Sequence, residues 1–384
     1  MAEVGVASRI EDGPAAGSQV RHAYVHVPFC PTICPFCSFD VVERRAGAVA
    51  AYLERLDVEL AETVDRLEVQ ALESIYLGGG TPSYLRDAEM ARLLDLLAGR
   101  LGPAGEVTLE VHPATVGPGS LRRWVDQGIT RLSLGVQSFD DAVLARLGRQ
   151  HSADTNRRIV AEALATGATV SLDFITAIEG QDVAQDLRAA AATGVHHVSA
   201  YTLTIEDGTP FARDGVEPVE EREALDAASA VLGESGFTRY EVSNHSRPGA
   251  RCAHNLGYWN NDWWVGVGPG ASSHEPAGGA DTGAVAIRRT NPSLGAWLEG
   301  GDPVDHRRLD AEDWAIDAVL MGLRMVEGVD LAAVGRRAGV DAATLVGTEL
   351  EELVAGGRLV REGDRVRATA VGLVHLDAVM RALV

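Results

Sequence analysis

Cys30, Cys34 and Cys37 stand in the segment YVHVPFCPTICPFC (residues 24–37), spaced C-x3-C-x2-C, in a 384-residue chain with only four cysteines. Three thiolates on one short loop can hold three irons of a [4Fe–4S] cube. Such a cube ordinarily has four cysteine ligands, so the fourth iron is left open. An open iron can chelate the amino and carboxylate groups of S-adenosylmethionine, pass an electron to the sulfonium and release a 5′-deoxyadenosyl radical. Structural zinc would need four ligands, typically from paired cysteines. Here the nearest further donors are His22, His26 and Asp40, and no second cysteine pair exists. A disulfide framework needs an even, dispersed set, which three clustered cysteines and a distant Cys252 do not provide.

Other residues could serve the same chemistry. Gly78-Gly79-Gly80-Thr81-Pro82 follows an apolar run; glycines there let backbone approach a ligand closely, and without a following lysine it is no phosphate-binding Walker loop. Glu110 in LEVHP, Gln137 in LGVQSF, Arg149 in LGRQH and Asp173 in SLDF sit at or near the ends of further runs. Carboxylates suit ribose hydroxyls, and arginine suits a carboxylate through paired hydrogen bonds. Tyr24 and Phe36 offer rings that either pack the site's mouth or shelve an adenine. Later in the chain, His254-Asn-Leu-Gly-Tyr-Trp259 combines a histidine, which can ligate haem iron, with broad aromatic surfaces. A structural loop is the simpler alternative for that stretch.

The elements that must position these residues alternate regularly. Short β-branched or apolar runs at 24–27, 74–77, 107–111, 131–136, 169–175 and 197–203 are separated by stretches of helical periodicity. One of these, 50–67, sets Leu53, Leu56, Leu60 and Val64 on one face. Strands alternating with helices imply a parallel sheet with right-handed crossovers, and six units predict an incomplete parallel (β/α)6 barrel. Barrel chemistry sits at the C-terminal ends of the strands, where the candidate residues fall. A helix over 220–232 would continue the outer layer. The expected organisation is a flexible leader over 1–20, a core barrel over 21–240, an irregular connecting or lid segment over 241–305, and a C-terminal domain over 306–384. In that last part, helices over 311–325, 331–338 and 342–355, a hairpin of 359–362 with 365–368 around Gly363-Asp364, and a helix over 371–383 predict a winged-helix-like α+β domain. Glu349, Glu351 and Glu352 stand against DNA binding by this wing despite Arg358, Arg361, Arg365 and Arg367, leaving a packing or docking role.

Composition narrows the classes. A formal net charge of −21 opposes a nucleic-acid footprint or attraction to an anionic membrane, both of which need basic patches. No apolar run is long enough to span a bilayer, and the N-terminus lacks signal-peptide order. An oxygen-sensitive cluster with free thiols fits a cytoplasmic setting.

With these residues in view, the chain resembles the radical S-adenosylmethionine superfamily, in its oxygen-independent coproporphyrinogen III oxidase-like branch. The matching stretches run almost end to end: YVHVPFCPTICPFC, YLGGGTPS, LEVHP, RLSLGVQSFDD…LGRQH, SLDFI, HVSAYTLTIEDGTP, YEVSNHS and HNLGYW. The resemblance implies that Cys30, Cys34 and Cys37 bind the cluster and that Phe36 lies where the family holds the adenine. Gly79, Gly80 and Thr81 would take the methionine amino group, and Tyr24, Glu110, Gln137, Arg149 and Asp173 would contact the cofactor. It also implies an electron donor such as a flavodoxin or ferredoxin. Oxidases of this branch have a further cysteine two positions after the third, where this chain has Phe39, and a longer N-terminal region. Both differences point to the group called HemW, haem chaperones that pass haem to apo-haemoproteins. HNLGYW matches that group's HNxxYW signature, which makes His254 the candidate for haem contact. Ser38 replaces the family's usual aspartate after the third cysteine. A change of this kind also occurs in class C radical methyltransferases and cyclopropane-forming enzymes, so a radical enzyme with a small aromatic or secondary-metabolite substrate is the alternative.

Overall fold

The computed structural model describes residues 19–219, 221–278 and 283–384; nearly all of the expected leader lies outside them, as does the first residue of the helix expected over 220–232.

The six expected strands form, each starting at or before its expected position: β1 (His22–Val27), β2 (Leu72–Gly79), β3 (Ala104–Val111), β4 (Arg131–Gln137), β5 (Thr169–Thr176) and β6 (His197–Thr202). They pair in parallel in chain order, as short strands joined by helical crossovers do. The helix Ala48–Leu67 covers the outside, burying Leu53, Leu56 and Leu60 and half-burying Val64.

The segment 241–305, expected to be irregular, instead carries strands and helices among its loops and extends the same sheet. After β7 (Thr238–Arg239) come β8 (Asn244–Ser246), β9 (Trp264–Val267), β10 (Ser272–Pro276), β11 (Ala286–Thr290) and β12 (Asp305–Leu309). Among the described residues the sheet order is β12-β11-β10-β9-β1-β2-β3-β4-β5-β6-β8-β7. β9 runs parallel to β1, with His22 opposite Trp264, so a late segment adds a seventh parallel strand. β9 escapes a pattern search because it is only four residues long, and β10 to β12 because they are short and rich in polar residues; β12 exposes four of its five residues. HNLGYW is the helix Ala253–Trp259, not a loop.

The C-terminal part has the expected helix–helix–hairpin order, with a small antiparallel sheet of Val329–Asp330, Leu359–Glu362 and Arg365–Ala368. Gly339, at φ 76°, ends the helix Leu331–Ala338 in the left-handed conformation glycine adopts freely. The long helices expected over 342–355 and 371–383 are each broken, at Val346 and at His375. A second apolar core, with Trp314, Val319, Leu323, Val334, Leu350 and Val366, binds these elements together. Arg337 ties this part to the 253–259 helix by donating to the carbonyls of Asn260 and Asn261 at 2.8 and 3.1 Å, and the Arg324 guanidinium lies 4.3 Å from the Trp259 ring. No helix among the described residues is long and apolar enough to cross a membrane.

Candidate functional site

The C-terminal ends of the parallel strands open into a cavity of about 460 Å³. Its wall includes Cys30, Cys34, Phe36 and Cys37 from the loop after β1, Gly79, Gly80 and Thr81 from β2 and the turn after it, Glu110, Gln137, Asp173, and Arg149. Residues from Cys30 to Asp173 thus meet because neighbouring parallel strands carry most of them in their C-terminal halves or in the loops that follow.

The cysteine loop is fixed at both ends. Cys30 pairs in parallel with Glu43, and its sulfur receives the Thr81 hydroxyl at 3.5 Å. The Cys37 amide donates to the Cys34 carbonyl at 3.1 Å, turning the chain between those two thiols. Burial pushes the Cys30 and Cys37 thiols up, while the nearby Arg149 guanidinium pulls both back. Among the described residues no three of His, Cys, Asp and Glu converge on one point to share a single ion; a cube instead gives each thiolate its own iron. Phe39 is 67% exposed and, with Ile33, lies on the wall near the thiols.

The glycine turn is shaped by close approach. A Cβ on Gly80 would stand 2.8 Å from the Val27 carbonyl oxygen and 2.9 Å from the Pro28 carbonyl carbon, both immovable backbone. The amides of Gly79, Gly80 and Thr81 are spent on Glu110, Val27 and Phe29 respectively. With no free N–H at these positions the turn suits an ammonium group, which needs acceptors, rather than an anion.

Glu110 is held by two donors: the Tyr76 hydroxyl at 2.9 Å and the Gly79 amide at 3.1 Å. Burial, then the Asp173 carboxylate, still pushes it up to about 7. Asp173 is raised by burial and partly restored by serine hydroxyls, among them Ser133 at 2.8 Å. Gln137 has φ 64°, and the Ser138 amide donates across it to the Val136 carbonyl at 2.8 Å. A non-glycine residue in this region is strained, and here the strain aims an amide into the cavity. Arg149 lies 5.9 Å from the Phe36 ring, and its Nε, although buried, has no partner.

Two expected residues lie elsewhere. Tyr24 is not on the cavity wall; it packs behind Tyr76, ring centres 6.2 Å apart, and meets His26 Nδ1 at 3.2 Å. His254 is 1% exposed and sits beneath the wall. Its Nδ1 contacts the Ser74 hydroxyl at 2.8 Å and its Nε2 the Tyr258 hydroxyl at 2.9 Å, so neither nitrogen is free for iron. The candidate for haem contact is thus buried with both ring nitrogens engaged, and the motif reaches the cavity through Asn255. Sequence reasoning also passed over Tyr76, Arg131 and Tyr201, and it did not place Cys252 at the site; all four are on the wall. Alternation along β2 could have found Tyr76, two positions before Gly78. Cys252 is a free, buried thiol 3.5 Å from Glu106 Oε1, and burial followed by Glu106 raises it to about 12.

The fold and the cavity together define a radical S-adenosylmethionine protein, and the chain belongs to that superfamily. A family profile described as Radical SAM superfamily matches residues 24–193, and one described as HemN C-terminal domain matches 309–375. Within the superfamily it is HemN-like and stands close to HemW. It is 35% identical to the heme chaperone HemW of Mycobacterium tuberculosis over 94% of each chain. It is 34% identical to the mitochondrial radical S-adenosyl methionine domain-containing protein 1 of Bos taurus, covering 96% of this chain and 88% of that one. The solved structure of HemN, the coproporphyrinogen III oxidase of Escherichia coli, superposes with a TM-score of 0.80 at 20% identity, covering 97% of this chain and 91% of that one; this shows the shared fold. The superfamily implies a [4Fe–4S] cluster and S-adenosylmethionine.

Proposed function

We propose that this chain is a haem chaperone of the HemW kind. Cys30, Cys34 and Cys37 hold a [4Fe–4S] cluster, S-adenosylmethionine occupies the cavity, and haem is carried to an apo-haemoprotein. The observation that carries the reading is the convergence of three thiols, the amide-depleted glycine turn and the Glu110, Gln137, Asp173 and Arg149 side chains on one cavity. Soft thiolates suit an iron–sulfur cluster, and the side chains around them suit an amino acid joined to a nucleoside. When bound, the cluster supplies an electron, drawn from a flavodoxin- or ferredoxin-type donor, and an open iron. The protein's own groups orient the cofactor: the turn accepts its ammonium, Arg149 pairs with its carboxylate, Phe36 shelves the adenine, and Glu110, Gln137 and Asp173 face the ribose side.

Similarity to HemW over nearly the full length supports the chaperone reading. So does Phe39, an apolar residue at the place where the oxidases carry a further cysteine. Ile33, Phe39 and Tyr201 together give the cavity mouth exposed apolar groups that a flat macrocycle can cover. Ser38, whose departure from the family pattern raised the methyltransferase alternative, is exposed and off the wall, so that alternative gains no support. The test is anaerobic reconstitution followed by haem titration. The reading expects about four irons per chain, lost in C30S, C34S and C37S, and saturable haem binding near one per chain, weakened in F39D. Absence of saturable haem uptake, or product formation from S-adenosylmethionine with turnover, would refute it.

A further inference from the structure

His254 belongs to a buried hydrogen-bonded chain whose donors and acceptors can be assigned. Ser74 Oγ lies 2.8 Å from both His254 Nδ1 and His22 Nδ1, and one hydroxyl has a single proton to give. It therefore donates to one ring and accepts from the other. His22 Nε2 faces Asp262 Oδ2 at 3.7 Å, which favours a proton on that nitrogen, since a lone pair would oppose the carboxylate. The chain then runs in one direction: Tyr258 O–H to His254 Nε2, His254 Nδ1–H to Ser74, Ser74 O–H to His22 Nδ1, and His22 Nε2–H toward Asp262. Burial holds the His254 pKa well below the usual imidazole range, so that ring is neutral. The His254 Nε2 lone pair, which an iron would require, already accepts from Tyr258.

What His254 touches next is the cavity wall. Its ring stacks on Tyr76 with centres 5.0 Å apart and planes 29° from parallel, and Tyr76 donates to Glu110. Gly257, one turn along, packs so close to the His22 ring that a Cβ there would collide with it, which explains the glycine inside HNLGYW. The helix Ala253–Trp259 is therefore a plug under the barrel floor.

We propose that His254 is a positioning residue: locked by Ser74 and Tyr258, it sets the Tyr76 ring, and through it the Glu110 carboxylate, against the cofactor cavity, and it does not ligate haem iron. The inference deepens the reading given under Proposed function and rests on it for the identity of the cofactor. The first test needs no ligand. The Glu110 carboxyl is followed by 13C NMR against pH in wild type, Y76F, H254A, H254Q and H254A/Y76F. Glu110 is faced by the Tyr76 hydroxyl and Gly79 amide of β2, Asp173 of β5, Tyr24 of β1 and Tyr258 of the plug helix. Losing the Tyr76 donor raises its midpoint, because that bond favours the ionised form. H254A is expected to raise it as Y76F does, the double variant to raise it no further, as residues acting in series require, and H254Q, which keeps one hydrogen bond, to fall between. In reconstituted protein, H254A and Y76F should weaken S-adenosylmethionine binding by a similar factor, roughly tenfold or more, while the Soret band of saturated haem keeps its wild-type position. An H254A midpoint equal to wild type beside a shifted Y76F overturns the inference. So does a Soret band changed in H254A and restored by free imidazole. Failure of wild-type protein to bind S-adenosylmethionine counts against the proposed function alone, since the NMR comparison still decides the role of His254.

Discussion

Glu110 is a carboxyl group held in its acid form deep into the neutral range, and this has a measurable cost. In the unfolded chain it titrates at the ordinary 4.5; in the fold, burial and then the Asp173 charge push it up to about 7. The folded protein thus binds more protons than the unfolded chain between these values, so this group's contribution to stability is complete below pH 4.5 and lost as pH rises through 7. At about 1.36 kcal/mol per pH unit, the span from 5.5 to 7 is worth about 2 kcal/mol. Glutamine at this position keeps the shape and cannot ionise. The stability of E110Q relative to wild type should therefore rise by about 2 kcal/mol between pH 5.5 and 8. Urea unfolding of both proteins at half-unit pH steps, followed by the fluorescence of the six tryptophans, reads this difference directly. Two parallel curves across that window would show that Glu110 is ionised throughout, and the two donors that hold it would then have to outweigh its burial.

Q137G should relieve the strained φ of 64°, raising the stability of the ligand-free protein by about 1 kcal/mol while weakening S-adenosylmethionine binding; chemical denaturation and equilibrium dialysis separate the two effects. G80A should cost about 1–3 kcal/mol and abolish tight cofactor binding together, because the carbonyls of Val27 and Pro28 leave its methyl group no room. Glu59 receives the Gly268 amide, the Asn291 amide and the Trp297 indole at 2.8, 2.6 and 3.1 Å. E59A strands these buried donors and should cost about 3 kcal/mol or more, lowering Tm by at least about 5 °C, with E59Q milder.

The sequence reveals the barrel because each of its first six strands carries a run such as Thr169–Ile175, rich in β-branched and aromatic residues, bounded by helical periodicity. It conceals β10 to β12 for the opposite reason. SSHEP, AIRRT and DHRRL have no apolar alternation, since their burial comes from neighbouring strands and from Arg–Glu pairs such as those that Arg66 and Arg289 make with Glu275. The site was legible where chemistry and spacing coincide, at the three cysteines and the glycine turn. It was illegible where a role depends on a distant partner. Nothing within HNLGYW announces that His254 meets Ser74, 180 positions earlier.

The placement of HNLGYW also gives the C-terminal part a reason to be attached. Three of its four wing arginines are occupied at home: Arg361 pairs with Glu351 at 2.9 Å, Arg365 donates to the Glu327 carbonyl at 3.1 Å and Arg367 pairs with Glu362 at 3.4 Å. Cations already engaged in this way offer less to a phosphate backbone. Two further arginines face the barrel. Arg337 grips the carbonyls just after the plug helix and lies 3.7 Å from Asp262, the residue that His22 Nε2 faces, and Arg324 covers Trp259. Each of these holds the plug where it leaves the barrel, at the far end of the chain that runs through His22, Ser74 and His254 to Tyr76 and Glu110. The domain that looks like a nucleic-acid reader in outline is, by its contacts, the support of the cavity floor.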